Sequence, residues 1–416
     1  MAIAFSDSRG GAAKAALQQV RSIRSLTNIH TSFVVAEKQL AGPVSFGPTK
    51  MQQYRHFVLR VLSLLLSKLQ FSANTSKHSL NLFSSSHVLR YLNQEVDCIH
   101  LHWFNNDTIS IEVLKLLLAR TSVPVVITLH DDWFFSGSEH CIASSSQRYL
   151  SGYNKDSCDV KGLDLDRWTF NRKLKLCNLL ERDNVFITAP STYLQQKAQA
   201  SFLLKKARVI KVPNIINCVE FKPQDIAISR HDLSLPKDKL IITFGAIGGA
   251  SYLKGSDLLL KALEHMQHIA PNLDVTLVTF GGKNTSGKTI AGYNAINLGH
   301  ISSTSALSAI YSSADVTVVP SRLEAFGQVA AESLACETPV VAFDNSGLTD
   351  IVQHEKSGLL VKAFDIEELA LALVKLLTLT NSDRALMGRE GRKFVLDTFS
   401  ASSVTDKWKA VYNLEQ

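Results

Sequence analysis

Short apolar runs recur along the chain, each followed by a stretch whose apolar positions repeat at helical spacing. In the first half the runs are "MAIAF", "CIHLHW" (98 to 103), "VPVVITLH" (123 to 130), "NVFITAP" (184 to 190) and "ARVIKVP" (207 to 213). Between them lie "AAKAALQQVRSIRSL", "SIEVLKLLLART" and "TYLQQKAQAS". Almost uninterrupted apolar strands alternating with helices predict a parallel sheet covered on both faces.

The pattern lapses over "NCVEFKPQDIAISRHDLSLPKDK", a polar passage that reads as weakly ordered, and then restarts. Strands are predicted at "LIITFGAIGG", "DVTLVTFG", "DVTVVPS" and "PVVAFD", with helices at "GSDLLLKALEHMQ", "STSALSAIYSSA", "QVAAESLACE" and "DIEELALALVKLL". Asp365 and Glu368 stand in capping-box spacing at the last of these. The restart predicts a second doubly wound α/β domain, joined to the first near residues 214 to 225. Two such domains facing one another form a cleft, and ligands of open parallel sheets bind beyond the carboxyl ends of the strands.

Several chemically active residues fall at such strand ends. In "PSRLEAFGQVAAES", Pro320 ends a strand, Gly327 permits close backbone approach, and the free amides of a helix start near Phe326, Gly327 and Gln328 suit a phosphate. Glu324 precedes that helix, and Glu332 lies about one turn inside it, where a carboxylate accepts from paired hydroxyls such as those of a ribose. Lys254 and Gly255 stand at the mouth of another helix, where a lysine offsets charge developing on a departing diphosphate. His130, Asp131 and Asp132 follow an apolar strand directly and are expected to project into the cleft. His102 and Trp103 end another strand, where the ring suits a sugar face, and Gly10 and Gly11 precede a helix in an anion-friendly turn. Each has a plainer reading: acids at a helix start, a surface lysine, a histidine bonded to a backbone carbonyl.

The chain has 416 residues, 45% hydrophobic and 19% charged, enough for two cores and unlike a disordered chain. Lys and Arg number 44 against 37 Asp and Glu, an excess of 7 that favours anionic partners or simply keeps the surface soluble. No dense basic run interleaved with aromatics points to nucleic acid. Six cysteines form no CxxC pair and no secretory leader is recognisable, which suggests reduced thiols in a cytoplasm. "EHC" at 139 to 141 with Cys158 fits no standard zinc spacing. "HFVLRVLSLLLSKLQF" (56 to 71) is too short and too interrupted, by Arg60 and Lys68, to span a membrane. Following Lys50 and Arg55, residues 50–71 read either as a basic amphipathic helix on an anionic membrane surface or as a helix packed on its own sheet.

Taken together, these motifs resemble retaining nucleotide-sugar glycosyltransferases of family 4, over nearly the whole chain. The resemblance rests on the E-x7-E pair Glu324 and Glu332 inside "PSRLEAFGQVAAESLACETPVVAFDNSGLTDIV", with "KG" at 254 and 255, "TLHD" at 128 to 131, "APS" at 189 to 191 and "VPNIIN" at 212 to 217. The "GGAA" start and "LHDDWFFSGSEHC" resemble members that build bacterial surface polysaccharides. The family implies a GT-B fold of two facing Rossmann-like domains: an acceptor-binding domain over 1–215, a nucleotide-sugar-binding domain over 216–396, and a final helix over 397–416, anchored by Trp408 and Tyr412, that returns to the first. It implies contacts of Glu324 with the donor sugar, Glu332 with the ribose, Lys254 with the diphosphate and His130 with the sugar near the reacting centre.

The resemblance also implies retention of anomeric configuration by front-face attack, with no cofactor and no divalent metal, so "DLD" at 164 to 166 is set aside. The donor expected is a UDP-sugar, with GDP second, and the acceptor a saccharide or a lipid-linked acceptor, the latter suggested by the basic amphipathic segment at 50 to 71. The family often carries an arginine shortly before the lysine. "AIGGASYLKG" has none, and Arg322 or Arg9 is the candidate substitute. The rival readings are a nucleotide-sugar hydrolase or epimerase of the same fold, a sugar-binding protein, and a non-catalytic scaffold.

Overall fold

A computed structural model describes residues 1–245, 252–282 and 288–412. The glycine-rich stretch at 246 to 251, expected as a turn, lies outside these. The chain divides into two compact units, Met1–Pro213 with Thr405–Gln416, and Asn214–Val404. The return to the first unit thus begins at Thr405, inside the helix Ala401–Tyr412, rather than at residue 397.

The first unit holds β1 (Ala2–Ser6), β2 (Phe33–Glu37), β3 (Gln70–Phe71), β4 (Ile99–His102), β5 (Val125–Thr128), β6 (Lys161–Gly162), β7 (Val185–Ala189) and β8 (Val209–Lys211). Six of these form one sheet in the order β2-β1-β4-β5-β7-β8, every pairing parallel, while β3 and β6 make a small antiparallel pair. Sequence reasoning passed over β2, although "FVVAE" is apolar, because polar residues crowd both its ends. Within this unit the Tyr412 hydroxyl accepts from Gln19 Nε2 at 2.6 Å and sits 2.9 Å from His100 Nδ1. Trp408 is buried beside it and lies against the His100 ring.

The second unit holds β9 (Leu240–Gly245), β10 (Val275–Phe280), β11 (Lys288–Ile290), β12 (Tyr293–Asn297), β13 (Val316–Val319), β14 (Val340–Phe343) and β15 (Gly358–Val361). Their order is β11-β12-β10-β9-β13-β14-β15, parallel except for the β11 edge. Side chains alternate across the sheet as a pleat requires. Val340 and Ala342 enter one core with the helices Thr304–Ser313 and Gln328–Ala335, whereas Val341 and Phe343 enter the other with Ser256–Ile269 and Ile366–Thr378.

Two local expectations change. The passage at 217 to 239 is anchored, not loose: Asp225 caps the helix Ile226–Asp232, and buried Arg230 pairs with Asp315 at 2.9 Å. At the helix Ile366–Thr378 only half of the capping box forms. Asp365 accepts from Glu368 N–H, but the Glu368 carboxylate takes the N–H of Lys362 instead of that of Asp365.

Candidate active site

In the second unit the chain leaves β9 toward β10 and β12 on one side and returns to β13 on the other. The loops after β9 and β13 therefore part at the carboxyl edge of the sheet and leave a crevice there, the position at which doubly wound sheets take ligands. Lys254 and Glu324 come from those two loops. Lys254 ends the 3-10 turn Tyr252–Lys254, and Gly255 follows with φ +68°. A Cβ on Gly255 would lie 1.9 Å from the carbonyl oxygen of Pro320, so only a glycine lets this turn rest on the end of β13.

That close approach brings Lys254 Nζ to 2.7 Å from Glu324 Oε1. Ser321 Oγ donates to the same oxygen at 2.8 Å. The main chain of Glu324 is clamped by the loop after β14: its N–H donates to Ser346 Oγ at 3.1 Å, and Gly347 N–H donates to its carbonyl at 2.9 Å. Ser321, Ser346 and Gly347 were not singled out from sequence. The Ser-Gly dipeptide directly after "PVVAFDN" was the available signal.

Three positions after Glu324, the helix Gln328–Ala335 starts from Gly327 in the left-handed region, with φ 109°. Its N-terminal amides are turned toward the same crevice by the direction of the helix after β13. Glu332 is only 7% exposed and is bonded inside the unit, accepting from Tyr311 Oη and from Gln328 Nε2, each at 3.0 Å. Burial, with the Glu332 carboxylate beside it, raises the Tyr311 phenol well above its ordinary range, so the hydroxyl stays protonated and donating. Tyr311 was also missed, since "AIYSSA" reads simply as a core helix. Phe326 is buried edge-on against Phe399, so its backbone and not its ring belongs to the loop surface.

Arg322 does not stand as a spare phosphate cation. Its guanidinium is bidentate to Asp257 at 2.7 and 2.6 Å, bonds the carbonyl of Tyr252 and lies 3.9 Å over the Tyr252 ring. The bond to Arg322 holds the Asp257 carboxyl below the usual carboxylate range. Arg322 therefore ties the Tyr252–Lys254 turn in place. Arg9, the other substitute considered, pairs with Glu37 in the first unit at 3.1 Å.

In the first unit the corresponding divergence lies between β1 and β4, because the chain goes from β1 to β2 and returns on the far side. Gly10, φ +87°, and Gly11 start the helix Gly11–Leu26 there, with open space where either Cβ would be. Four expectations for this unit give way. His102 is 1% exposed, stacked on His100 at 3.9 Å with its Nδ1 3.2 Å from His130 Nε2, so it supports His130 from below. Asp132 is buried, accepting from Lys197 Nζ at 2.7 Å and Ile142 N–H at 2.9 Å, a structural ion pair and not a projecting acid. Trp103 already carries the Lys77 ammonium 4.3 Å over its ring, where a sugar face was expected.

Asp131 is likewise engaged, accepting from Trp103 Nε1 and His140 Nδ1 at 2.6 Å each and from Trp133 N–H at 3.0 Å. Burial works against its charge, but the bonds from His140, Trp133 and Trp103 hold its carboxyl below the usual range. His130, at the outer end of the histidine stack, is half-buried, and burial pushes its imidazole down to about 4. It is neutral at pH 7 and acts as a hydrogen-bonding group, not as a cation. Among the described residues no group of three or more His, Cys, Asp and Glu is placed to hold a metal ion. Asp164 caps the helix Leu165–Leu174, and Asp166 accepts from Ser138 and Gln70, so the "DLD" acids are structural.

Two Rossmann-like units with parallel sheets, each with a strand-order reversal at its carboxyl edge, define an α/β protein of the GT-B fold. Sucrose-phosphate synthase from Thermosynechococcus elongatus is similar, with a TM-score of 0.65 at 19% identity over 100% of this chain and 98% of that one. HepE from Anabaena, solved with UDP and glucose, gives 0.63 at 17% identity over 100% of both chains. These likenesses carry the fold.

In sequence, residues 225–394 match the family described as Glycosyl transferases group 1. That segment lies in the second unit and contains Lys254, Glu324 and Glu332. The D-inositol 3-phosphate glycosyltransferase of Acidothermus cellulolyticus is 35% identical over 183 residues, 41% of this chain and 40% of that protein. Its counterpart in Saccharomonospora viridis is 34% identical over 211 residues, 47% of this chain and 48% of that protein. The chain thus spans less than half the length of the curated relatives it matches.

Proposed function

We propose that the protein is a glycosyltransferase that moves a sugar from a nucleotide diphosphate, UDP in the first instance, to a saccharide or lipid-linked acceptor of cell-surface polysaccharide synthesis, with retention and without a divalent metal. The observation that carries the reading is the Lys254–Glu324 pair at the strand-order reversal of the second unit, beside the amides that open the helix Gln328–Ala335. A diphosphate placed there competes with Glu324 for Lys254. The lysine and the helix amides then offset the charge that grows as the sugar leaves, and the released carboxylate accepts from sugar hydroxyls.

In this reading the bond from the anomeric carbon to the diphosphate oxygen breaks, and its electron pair stays with the diphosphate. The acceptor oxygen bonds to the same face of that carbon, and its proton passes to the departing phosphate oxygen. Glu332, held by Tyr311 and Gln328, is oriented for a ribose, and the neutral His130 donates to a sugar hydroxyl. The names of the relatives support glycosyl transfer as the class of reaction. The sugar and the acceptor of this chain are set by its own loops.

The test is a thermal-shift and transfer screen against UDP-, GDP-, ADP- and dTDP-sugars, repeated with Glu332→Ala and with EDTA. The expected result is stabilisation by one nucleotide class, lost in the variant and indifferent to EDTA. Stabilisation by none of them would overturn the reading in favour of a non-catalytic scaffold, and sugar release without an acceptor would favour a hydrolase.

A further inference from the structure

The helix Lys50–Ser67 is amphipathic in the opposite sense to an ordinary surface helix. Only His56 and Ser63 are buried along its 18 residues. His56, Arg60 and Ser63 form one stripe, spaced four and three apart, and that polar stripe is the side packed on the unit: His56 Nε2 meets the carbonyl of Asp107 at 2.8 Å, and Arg60 pairs with Glu37 at 3.2 Å. Met51, Tyr54, Phe57, Leu62, Leu64 and Leu65 are all exposed, Tyr54 by 65% and Leu65 by 57%. Leu69 and Phe71, just beyond the helix, extend the apolar surface. Of the two arrangements left open by the sequence, packing of the apolar face on the sheet is therefore not the one adopted.

The charge along the helix and its flanks is mostly basic, with Glu37 and Asp107 lying beside its packed side. Between Glu37 and Glu95 the chain holds no acidic residue, while Lys50, Arg55, Lys68 and Arg90 are among the cations of the same stretch. On the flank of the helix, Phe57, Val61 and Leu64 share a pocket of about 390 Å³ with Arg9, Arg60, Lys77 and one acid, Asp107, so apolar surface grades into a rim with an excess of cations. Burial first, then repulsion from Arg60 and Arg9, lowers the Lys77 ammonium to about 8 against the opposing pull of Asp131 and Asp107. No described helix is long and apolar enough to cross a membrane.

We infer that the outer face of the helix Lys50–Ser67 docks on an anionic lipid bilayer, its apolar side chains entering the acyl boundary while the flanking lysines and arginines meet lipid phosphates. A face with this width of apolar surface and no acid within the whole stretch fits an interfacial helix. A protein partner of ordinary composition would offer no such match of apolar centre and uniformly negative rim. This inference is independent of the donor site, which lies in the other unit.

The test is co-sedimentation of the full chain with vesicles of phosphatidylcholine alone and of phosphatidylcholine mixed with phosphatidylglycerol, at low and high salt. The expected result is binding to the anionic vesicles only, weakened by salt. Lys50→Glu/Arg55→Glu should weaken it by at least about 30-fold, since each juxtamembrane cation contributes appreciably near an anionic surface. Phe57→Ser/Leu62→Ser/Leu65→Ser should weaken it by at least about tenfold, while the thermal midpoint and the nucleotide-induced shift stay at wild-type values. Equal binding to neutral vesicles, binding to neither, or a stable dimer that the serine variant dissociates would each overturn the inference, the last by naming a second copy as the occupant.

Discussion

The carboxyl edges of the two sheets carry comparable numbers of charged and aromatic side chains but use them differently. At the edge of the second unit the central contact, Lys254 to Glu324, is a pair whose side chains are 29% and 14% exposed, made between two loops and partly open to solvent. At the edge of the first unit Asp131, Asp132, His102 and Trp103 are tied to Lys197, His140, Lys77 and one another. The difference teaches that polar residues directly after an apolar strand do not all serve a ligand. Some hold the loop that presents a partly exposed neighbour, here His130.

The largest expected effects separate these two uses. Asp132→Ala leaves Lys197 as a buried charge without its partner and should cost about 3–5 kcal/mol of unfolding free energy in urea, with Asp132→Leu/Lys197→Met nearer to wild type. A loss below about 1 kcal/mol would place Asp132 among the ligand-facing groups after all. Lys254→Ala should behave in the reverse manner. Transfer should fall by about 10²–10³-fold, as for removal of one stabilising donor from a developing anion, while stability changes by less than about 1 kcal/mol because the pair is partly solvated. A stable, fully active Lys254→Ala would erase the contrast between the edges.

The alternation of strand and helix made both sheets legible from sequence, because apolar runs of four to six residues between helical patterns leave few other arrangements. The strands of the two large sheets that escaped, β2, β11, β12 and β15, are bounded or interrupted by polar residues, as in "TSFVVAEKQ", "GYNAINLG" and "KSGLLVKA", and the two-residue pair β3 and β6 escaped as well. Glu324, Glu332 and Lys254-Gly255 were legible as residues, but the Lys254–Glu324 contact was not, since it depends on Gly255 touching Pro320 across 65 positions (320 − 255). The first unit was the harder case. Nothing in "LHDDW" distinguishes the aspartate that takes Lys197 from the one that takes His140, since both partners come from elsewhere in the chain. The outward turn of the apolar face at 50–67 was likewise invisible, because periodicity gives a stripe and not the direction in which it points.

A graded effect comes from pH. Burial lowers the imidazoles of His100, His102, His130 and His140, so folding of the first unit holds them neutral. A group depressed on folding contributes stability that is present above its unfolded value near 6.5 and is lost as pH falls through its folded value, about 4 for His130. His130 alone should remove about 1 kcal/mol between roughly pH 6 and pH 5. Trp103, Trp133, Trp168 and Trp408 all lie in the first unit, so tryptophan fluorescence follows that unit while far-UV circular dichroism follows both. On acidification the fluorescence transition should come first, and His130→Gln should delay it. Coincident transitions at every pH would show that the units do not differ in this respect.

The smallest effect tests which cation serves the diphosphate. Arg322 sits beside Lys254 in the same crevice, but its charge is spent on Asp257 and its guanidinium on the Tyr252 carbonyl and ring. Asp257 is about half-exposed, so the pair is a surface ion pair and contributes at most about 1 kcal/mol to stability. Its remaining work is to steady the turn that carries Lys254, and loss of that support should weaken transfer by no more than about fivefold, the equivalent of the same 1 kcal/mol. Arg322→Ala should then give the larger loss and Asp257→Asn a smaller one in the same direction, since the second removes the ion pair but leaves the guanidinium on the Tyr252 carbonyl and ring. A loss on Arg322→Ala as large as that of Lys254→Ala, with Asp257→Asn harmless or activating, would mean that the guanidinium leaves Asp257 for the donor. The arginine missing before Lys254 would then have been replaced from the neighbouring loop, and the two edges would differ in one more way: the second would hold a reserve cation that the first lacks.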